Sequence, residues 1–190
     1  MKDISLHVLD IMQNSIAAKG SLIRVNVLVK SENKMLEVVI EDNGCGMEED
    51  LLARVTDPFS TTRTTRKVGL GIPLFKASAE QSGGSFDISS QKGFGTTVAA
   101  RYQIDHIDRP PLGDMAGIIT DMSAAYPKTE IQLLIESGNR QFVFNSREVS
   151  ETLGEVPLTE FAVVQWMREY IGEGLKDIFG GVLSEIDSGT

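Results

Sequence analysis

The chain has 190 residues, with 18 Lys+Arg against 27 Asp+Glu and a formal net charge of -9, a balance that argues against nucleic acid and against an acidic membrane surface as partners. A single cysteine, Cys45, removes an internal disulfide framework or a four-cysteine zinc site and fits a reducing compartment. Asp3, His7 and Asp10 interrupt the opening residues, which read as neither signal peptide nor membrane anchor, and the composition fits a cytoplasmic globular protein.

In chain order, residues 5–18 place Leu6, Leu9, Met12, Ile16 and Ala17 on one stripe of an amphipathic helix that stops near Gly20. The β-type runs LIRVNVLVK (22–30) and MLEVVIED (35–42) follow as a hairpin. MEEDLLARV predicts a helix of about two turns. The Thr/Arg tract from Ser60 to Lys67 has no apolar period and reads as a surface loop. Pro73 suits the first turn of a helix running to about Gly83, since proline has no N–H to leave unpaired there. SFDISS and TTVAARY flank the turn QKGFG as two further strands. This order predicts an α/β sandwich whose mixed sheet is covered by helices on one face.

At HIDRPPLGD (106–114) a proline pair suggests a linker, giving two expected units, 1–105 and 106–190, the second a small α+β module. It should contain a helix over 115–125, a hairpin of EIQLLIES and RQFVFNS turned at Gly138-Asn139, and a helix over 159–170 carrying the single tryptophan. Ile131, Leu133, Phe142, Phe144, Phe161, Val164 and Trp166 could form its core. Two readings stay open: a separate docking or regulatory module, or a segment that completes one core with the first half.

Several clusters could carry chemistry. EDNGCGM (41–47) ends a strand with a carboxylate followed by two glycines, which lets backbone approach a flat ligand, although Asn-Gly is also a common hairpin turn. Asp10 and Asn14, one helical turn apart, lie about 6 Å from each other on one face. An asparagine oxygen suits Mg²⁺ and the carboxylate could take a proton in phosphate chemistry; a solvated polar face is the plain alternative. GLGIP (69–73) would aim backbone N–H groups at an anion as it opens a helix. Before it, Thr61 and Thr62 offer hydroxyls and Arg63, Arg66 and Lys67 offer cations, which suits a cover over phosphates or simply a solvated loop. GFGTTV (93–98) is a glycine turn entering a strand.

Taken together and in this order, the asparagine helix, DNGCGM, DPFSTTR, GLGI and GFGTTV resemble the ATP-binding domain of the gyrase, Hsp90, histidine kinase and MutL superfamily over roughly residues 5–102. From Val55 to Tyr102 the chain looks most like a sensor histidine kinase. The resemblance implies a Bergerat-type two-layer α/β sandwich. It implies that Asp42 binds the adenine amino group, Gly44, Gly46 and Met47 line the base, and Thr96 supports that corner. Asn14 would hold Mg²⁺; Gly69, Leu70 and Gly71 would cradle the phosphates, with residues 60–68, including Thr61, Thr62, Arg63 and Lys67, as the lid.

The chain departs from the sensor-kinase pattern in three places. Lys67-Val68 stand where a further glycine is usual, and the lid is short. Asp10 stands where an asparagine is common and is similar to the acidic base of MutL-like ATPases and anti-sigma serine kinases. No helix bearing a phosphorylatable histidine is expected before residue 5, and His7 reads as a site-edge or structural residue. The resemblance therefore implies a Mg-ATP-binding, histidine kinase-like enzyme that phosphorylates a separate protein partner on histidine or serine. The alternatives are a slow ATPase or a nucleotide-sensing switch that controls a partner. The ATPase-like half followed by HIDRPPLGD also resembles small kinase-like proteins associated with hydrogenase gene clusters, which implies a redox-related partner.

Overall fold

The computed structural model describes residues 3–55 and 70–180. Their elements are α1 (Ile4–Ala17), β1 (Leu22–Lys30), β2 (Met35–Asp42), α2 (Glu49–Val55), α3 (Gly71–Gln81), β3 (Ser85–Gln91), β4 (Gly95–Gln103), α4 (Met115–Ala125), β5 (Glu130–Ser137), β6 (Arg140–Asn145), α5 (Ser146–Leu153) and α6 (Phe161–Phe179). The strands form one mixed sheet in the order β3-β4-β2-β1-β5-β6. All pairings are antiparallel except β1 with β5, which run parallel from Leu22↔Glu130 to Val29↔Ser137.

Strand alternation sorts the two faces of this sheet. Ile23, Val25, Val27 and Val29 of β1, Leu36, Val38 and Ile40 of β2, and Ile131, Leu133 and Ile135 of β5 are buried. Helices α3, α1, α4 and α6 touch in that succession, α1 with α3 and α4, and α4 with α6. On the opposite side of β2, Glu37 is only 5% exposed and is held by Lys30 at 2.5 Å and by Arg101 Nε at 2.7 Å. Its Arg101 partner also reaches Asp87. The result is the expected mixed-sheet α/β sandwich.

The residues after 106 continue this architecture. β5 extends the sheet beside β1, and a single buried cluster runs from Ile4 and Val8 through Leu112 and Met115 to Leu133, Phe144 and Phe179. The proline segment is itself structural: the carbonyls of Pro111 and Leu112 accept from the amides of Ile4 and Ser5 at 2.9 Å each. Asp3 completes this N-terminal cap of α1 by accepting from the Leu6 amide. The boundary expected at 106 thus falls inside one continuous sheet and core.

Three local expectations need correction. The buried face of α1 is Ile4, Ser5, His7, Val8, Ile11, Met12 and Ser15, whereas Leu6 of the expected stripe is 37% exposed. α6 runs nine residues beyond Tyr170 and buries Val163, Met167, Ile171, Leu175 and Ile178, so Phe161 and Trp166 lie on its exposed side rather than in a core. α5 was not expected at all; Asn145 caps it by accepting from the Arg147 amide.

Candidate functional site

The site is assembled along one side of α1. Ser15 brings its hydroxyl 2.7 Å from Asp42 Oδ2 at the end of β2, and the Gly44 amide donates to Asp42 Oδ1 at 2.8 Å. The Ser15 hydroxyl is also 3.1 Å from the Ile11 carbonyl, but it has one proton to give and the carboxylate makes the stronger acceptor. Both oxygens of Asp42 are therefore oriented before any ligand arrives.

The loop after Asp42 is tied down by backbone bonds, Cys45 N–H to the Ala18 carbonyl at 2.9 Å and Gly93 N–H to the Cys45 carbonyl at 2.8 Å. A Cβ on Gly44 would stand 2.8 Å from that of Ala18. Gly46 combines a φ of +62° with a Cβ position 2.0 Å from the Gln91 carbonyl oxygen, so only glycine fits there. Thr96 faces Asp42 across the β2–β4 ladder. Ser90 joins the corner: its Oγ accepts from the Met47 amide at 2.9 Å, donates to the Gly95 carbonyl at 2.9 Å and lies 2.9 Å from Thr96 Oγ1. Asp42, Gly44, Gly46, Met47 and Thr96 thus lie together at one end of the sheet.

One turn and more toward the start of α1, Asp10 meets the beginning of α3. A Cβ on Gly71 would lie 2.9 Å from Asp10 Oδ2, so the absence of a side chain at 71 is what allows this approach. Burial pushes the Asp10 carboxyl above the usual carboxylate range. Asn14 is exposed, and its amide has no hydrogen-bond partner among the described residues. Leu70, at the N-cap of α3, is 56% exposed and supplies no side-chain cap. Thr61, Thr62, Arg63, Lys67 and Gly69 lie outside the described residues, as does the expected lid over 60–68.

Sequence reasoning missed Ser15 and Ser90. Each holds a predicted site residue in place, and neither belongs to a glycine motif. Their only sequence signals are a serine on the buried face of a helix and a serine facing a threonine across a tight hairpin, positions that want a partner.

His7 is structural. It is 2% exposed, its ring stacks on Phe75 at 4.9 Å and 7°, and Nδ1 has no hydrogen-bond partner among the described residues. Burial lowers its pKa to about 4, against 6.5 for an unperturbed histidine. Between those values the unfolded chain binds more protons than the folded one, so stability is full above about pH 6.5 and falls as pH drops toward 4. His7→Phe keeps the stack and removes the titration. Urea midpoints at neutral and mildly acidic pH should therefore diverge less in His7→Phe than in the parent; equal divergence would remove His7 from the acid limb.

Among the described residues no group of three His, Cys, Asp or Glu side chains could hold a metal, and no helix is long and apolar enough to cross a membrane. The family described as histidine kinase-, DNA gyrase B-, and HSP90-like ATPase matches residues 2–106. Histidine protein kinase DivJ of Caulobacter vibrioides is 31% identical over 101 residues, covering 51% of this chain and 17% of its own length. Signal transduction histidine-protein kinase AtoS of Escherichia coli is 32% identical over 97 residues, covering 51% of this chain and 16% of its own. The chain therefore spans less than a fifth of these relatives. Among solved structures, the N-terminal domain of a DNA repair protein superposes with a TM-score of 0.54 at 10% identity, over 75% of this chain and 52% of that one.

Proposed function

Because the chain belongs to the histidine kinase-, DNA gyrase B-, and HSP90-like ATPase family, we propose that it binds Mg-ATP and transfers the γ-phosphate to histidine or serine on a separate protein partner. In this reading the adenine amine is accepted by Asp42, the base lies against Gly44, Gly46 and Met47, and Thr96 supports the corner. The phosphates run toward Gly69, Leu70 and Gly71, with Thr61, Thr62, Arg63 and Lys67 beside them. The observation that carries it is that one helix serves both ends: Ser15 orients Asp42, and Asp10 faces the glycine that starts α3.

The donor set suits Mg²⁺. Without a three-ligand protein cage among the described residues, the ion would take a single unengaged side-chain oxygen, from Asn14, and fill its remaining positions with phosphate oxygens and water. Bound there, Mg²⁺ would neutralise phosphate charge. Asn14 then positions the phosphates, while Asp10 accepts or orients the proton of the attacking group. A carboxylate whose pKa is raised by burial is the better base for that step.

Asp10→Asn conserves shape and removes the proton acceptor. It should leave ATP affinity within about twofold and slow single-turnover consumption by about 10²-fold or more. In the parent, turnover should fall as pH drops through the raised Asp10 pKa, because the protonated acid cannot accept, and Asp10→Asn should lack that limb. Full activity in Asp10→Asn would remove the base. The partner question is decided with γ-labelled ATP and proteins captured from the native cell: label on a captured protein supports transfer, and label released only as inorganic phosphate identifies an ATPase switch instead.

A further inference from the structure

At the edge of the sheet away from these residues, β6, α5 and α6 enclose an open groove of about 570 Å³. Its walls are Val143 and Phe144 of β6, Val149 and Leu153 of α5, and Trp166 and Tyr170 of α6. β1 and β5 separate this edge from β2, a distance of about 14 Å at ordinary strand spacing.

The groove is apolar and preformed. Trp166 and Tyr170 are 48% and 40% exposed although neighbouring positions of the same helix are buried. Their rings stack at 5.2 Å and 9°, and Tyr170 also packs on Phe142 at 5.0 Å. Two stacked aromatics fixed at the mouth of an apolar groove offer contact area at little entropic cost, the usual make-up of an interaction hot spot.

Its charge indicates what would bind. Glu148 lines the groove, and Glu151, Glu155, Glu160, Glu169 and Glu173 are exposed on the helices and connection that build it. None of these six has a cationic partner among the described residues. The arginines of the same stretch are already engaged: Arg147 with Glu130 at 3.1 Å, Arg168 with Asp114, and Arg140 with the Asp177 and Ile178 carbonyls that end α6. Residues 181–190 carry Glu185 and Asp187 and no lysine or arginine, so the rim repels them, and it repels a second copy of a chain with net charge -9.

We propose that this groove is a docking surface for a protein partner that presents a cationic amphipathic segment, apolar side chains against Trp166 and Tyr170 and lysines or arginines toward the carboxylate rim. The proposal is independent of the nucleotide reading, because the surface shares no residue with that site.

Trp166 is the single tryptophan of the chain and reports directly on occupancy. The probe is a synthetic 18-residue amphipathic helix of leucine and lysine, added to the full chain and compared with the same pattern of leucine and glutamate. The lysine peptide should shift Trp166 emission to the blue saturably at one peptide per chain, with affinity falling about tenfold or more between about 50 and 300 mM salt. The glutamate peptide should not bind. The triple change Glu148→Gln, Glu169→Gln and Glu173→Gln should weaken the lysine peptide at least tenfold without altering thermal melting or ATP affinity. Val143→Ser with Tyr170→Ser should weaken it similarly by calorimetry. No binding, or binding untouched by either set of changes, overturns the docking surface. So does a dimer shielding Trp166, or binding that appears only after residues 181–190 are removed, since those outcomes give the groove to a second copy or to the chain's own end.

Discussion

Asp42→Asn should reduce ATP affinity by about 10² or more while leaving the fold intact. Asp42 presents two acceptor oxygens, one held by the Gly44 amide and the other by the Ser15 hydroxyl. In the amide, the NH₂ cannot face the Gly44 N–H without setting donor against donor, so it must take the position beside Ser15. Ser15 can yield by turning its proton to the Ile11 carbonyl 3.1 Å away, which is why folding should survive. The adenine amine is itself a donor and meets a site with half its acceptor capacity and no charge, and a buried, unmatched polar group costs more than the lost bond alone. Ser15→Ala gives a graded control. It frees one carboxylate oxygen without changing its chemistry, so affinity should fall by about fivefold, in keeping with about 1 kcal/mol for one hydrogen bond. Unchanged affinity in a folded Asp42→Asn chain would take the adenine away from this corner.

The strands and their hairpin pairings could be read from the sequence because each hairpin carries its own turn and its own period-two alternation, as in residues 22–42, whereas the β2–β4 and β1–β5 pairings join segments distant in the chain and have no such local signal. Helix faces were harder. The stripe through Leu6 and Leu9 is a good apolar period, yet the face of α1 is decided by what lies opposite it, the carbonyls of Pro111 and Leu112 and the ring of Phe75, which are distant in the chain. The helix expected over 159–170 continues through Gly172 and Gly174 in α6, and a Cβ at 174 would stand 2.5 Å from the Phe142 ring, so that glycine is a packing contact rather than an end. α5 is mostly polar, and its brief signal is the Asn145 cap with Val149 and Leu153 one turn apart. At the site, glycine motifs announced the loop around Asp42, because backbone that must approach closely tolerates no side chain. Ser15 and Ser90 stayed hidden because a hydroxyl's role depends on a partner that only the folded sheet supplies.

That dependence on distant residues is sharpest for the second half of the chain. A chain ending at Asp108 should fail to fold cooperatively and should lose ATP binding, rather than survive as a free nucleotide domain. It would lose the Pro111 and Leu112 carbonyls that cap α1, the helix carrying Asp10, Asn14 and Ser15. The edge of β1 would lose its eight-residue parallel pairing with β5, leaving an unprotected strand beside β2. Leu112, Met115, Ile131 and Leu133 are each no more than 1% exposed in the shared core. Each such burial is worth about 1.5–3 kcal/mol, against a total stability of about 5–15 kcal/mol for an ordinary domain. Ordering the second half has its own entropic cost, which the shorter chain avoids, but that chain still exposes the apolar face of β1 and one flank of α1 to water. A milder version keeps the full chain: Leu133→Ala should destabilise by about 2–5 kcal/mol and lower the melting temperature without changing ATP affinity in the folded population. Retention of a cooperative transition and parental ATP affinity by the chain ending at Asp108 would show that the first 108 residues fold alone, and β5 and β6 would then be an addition to a finished sheet.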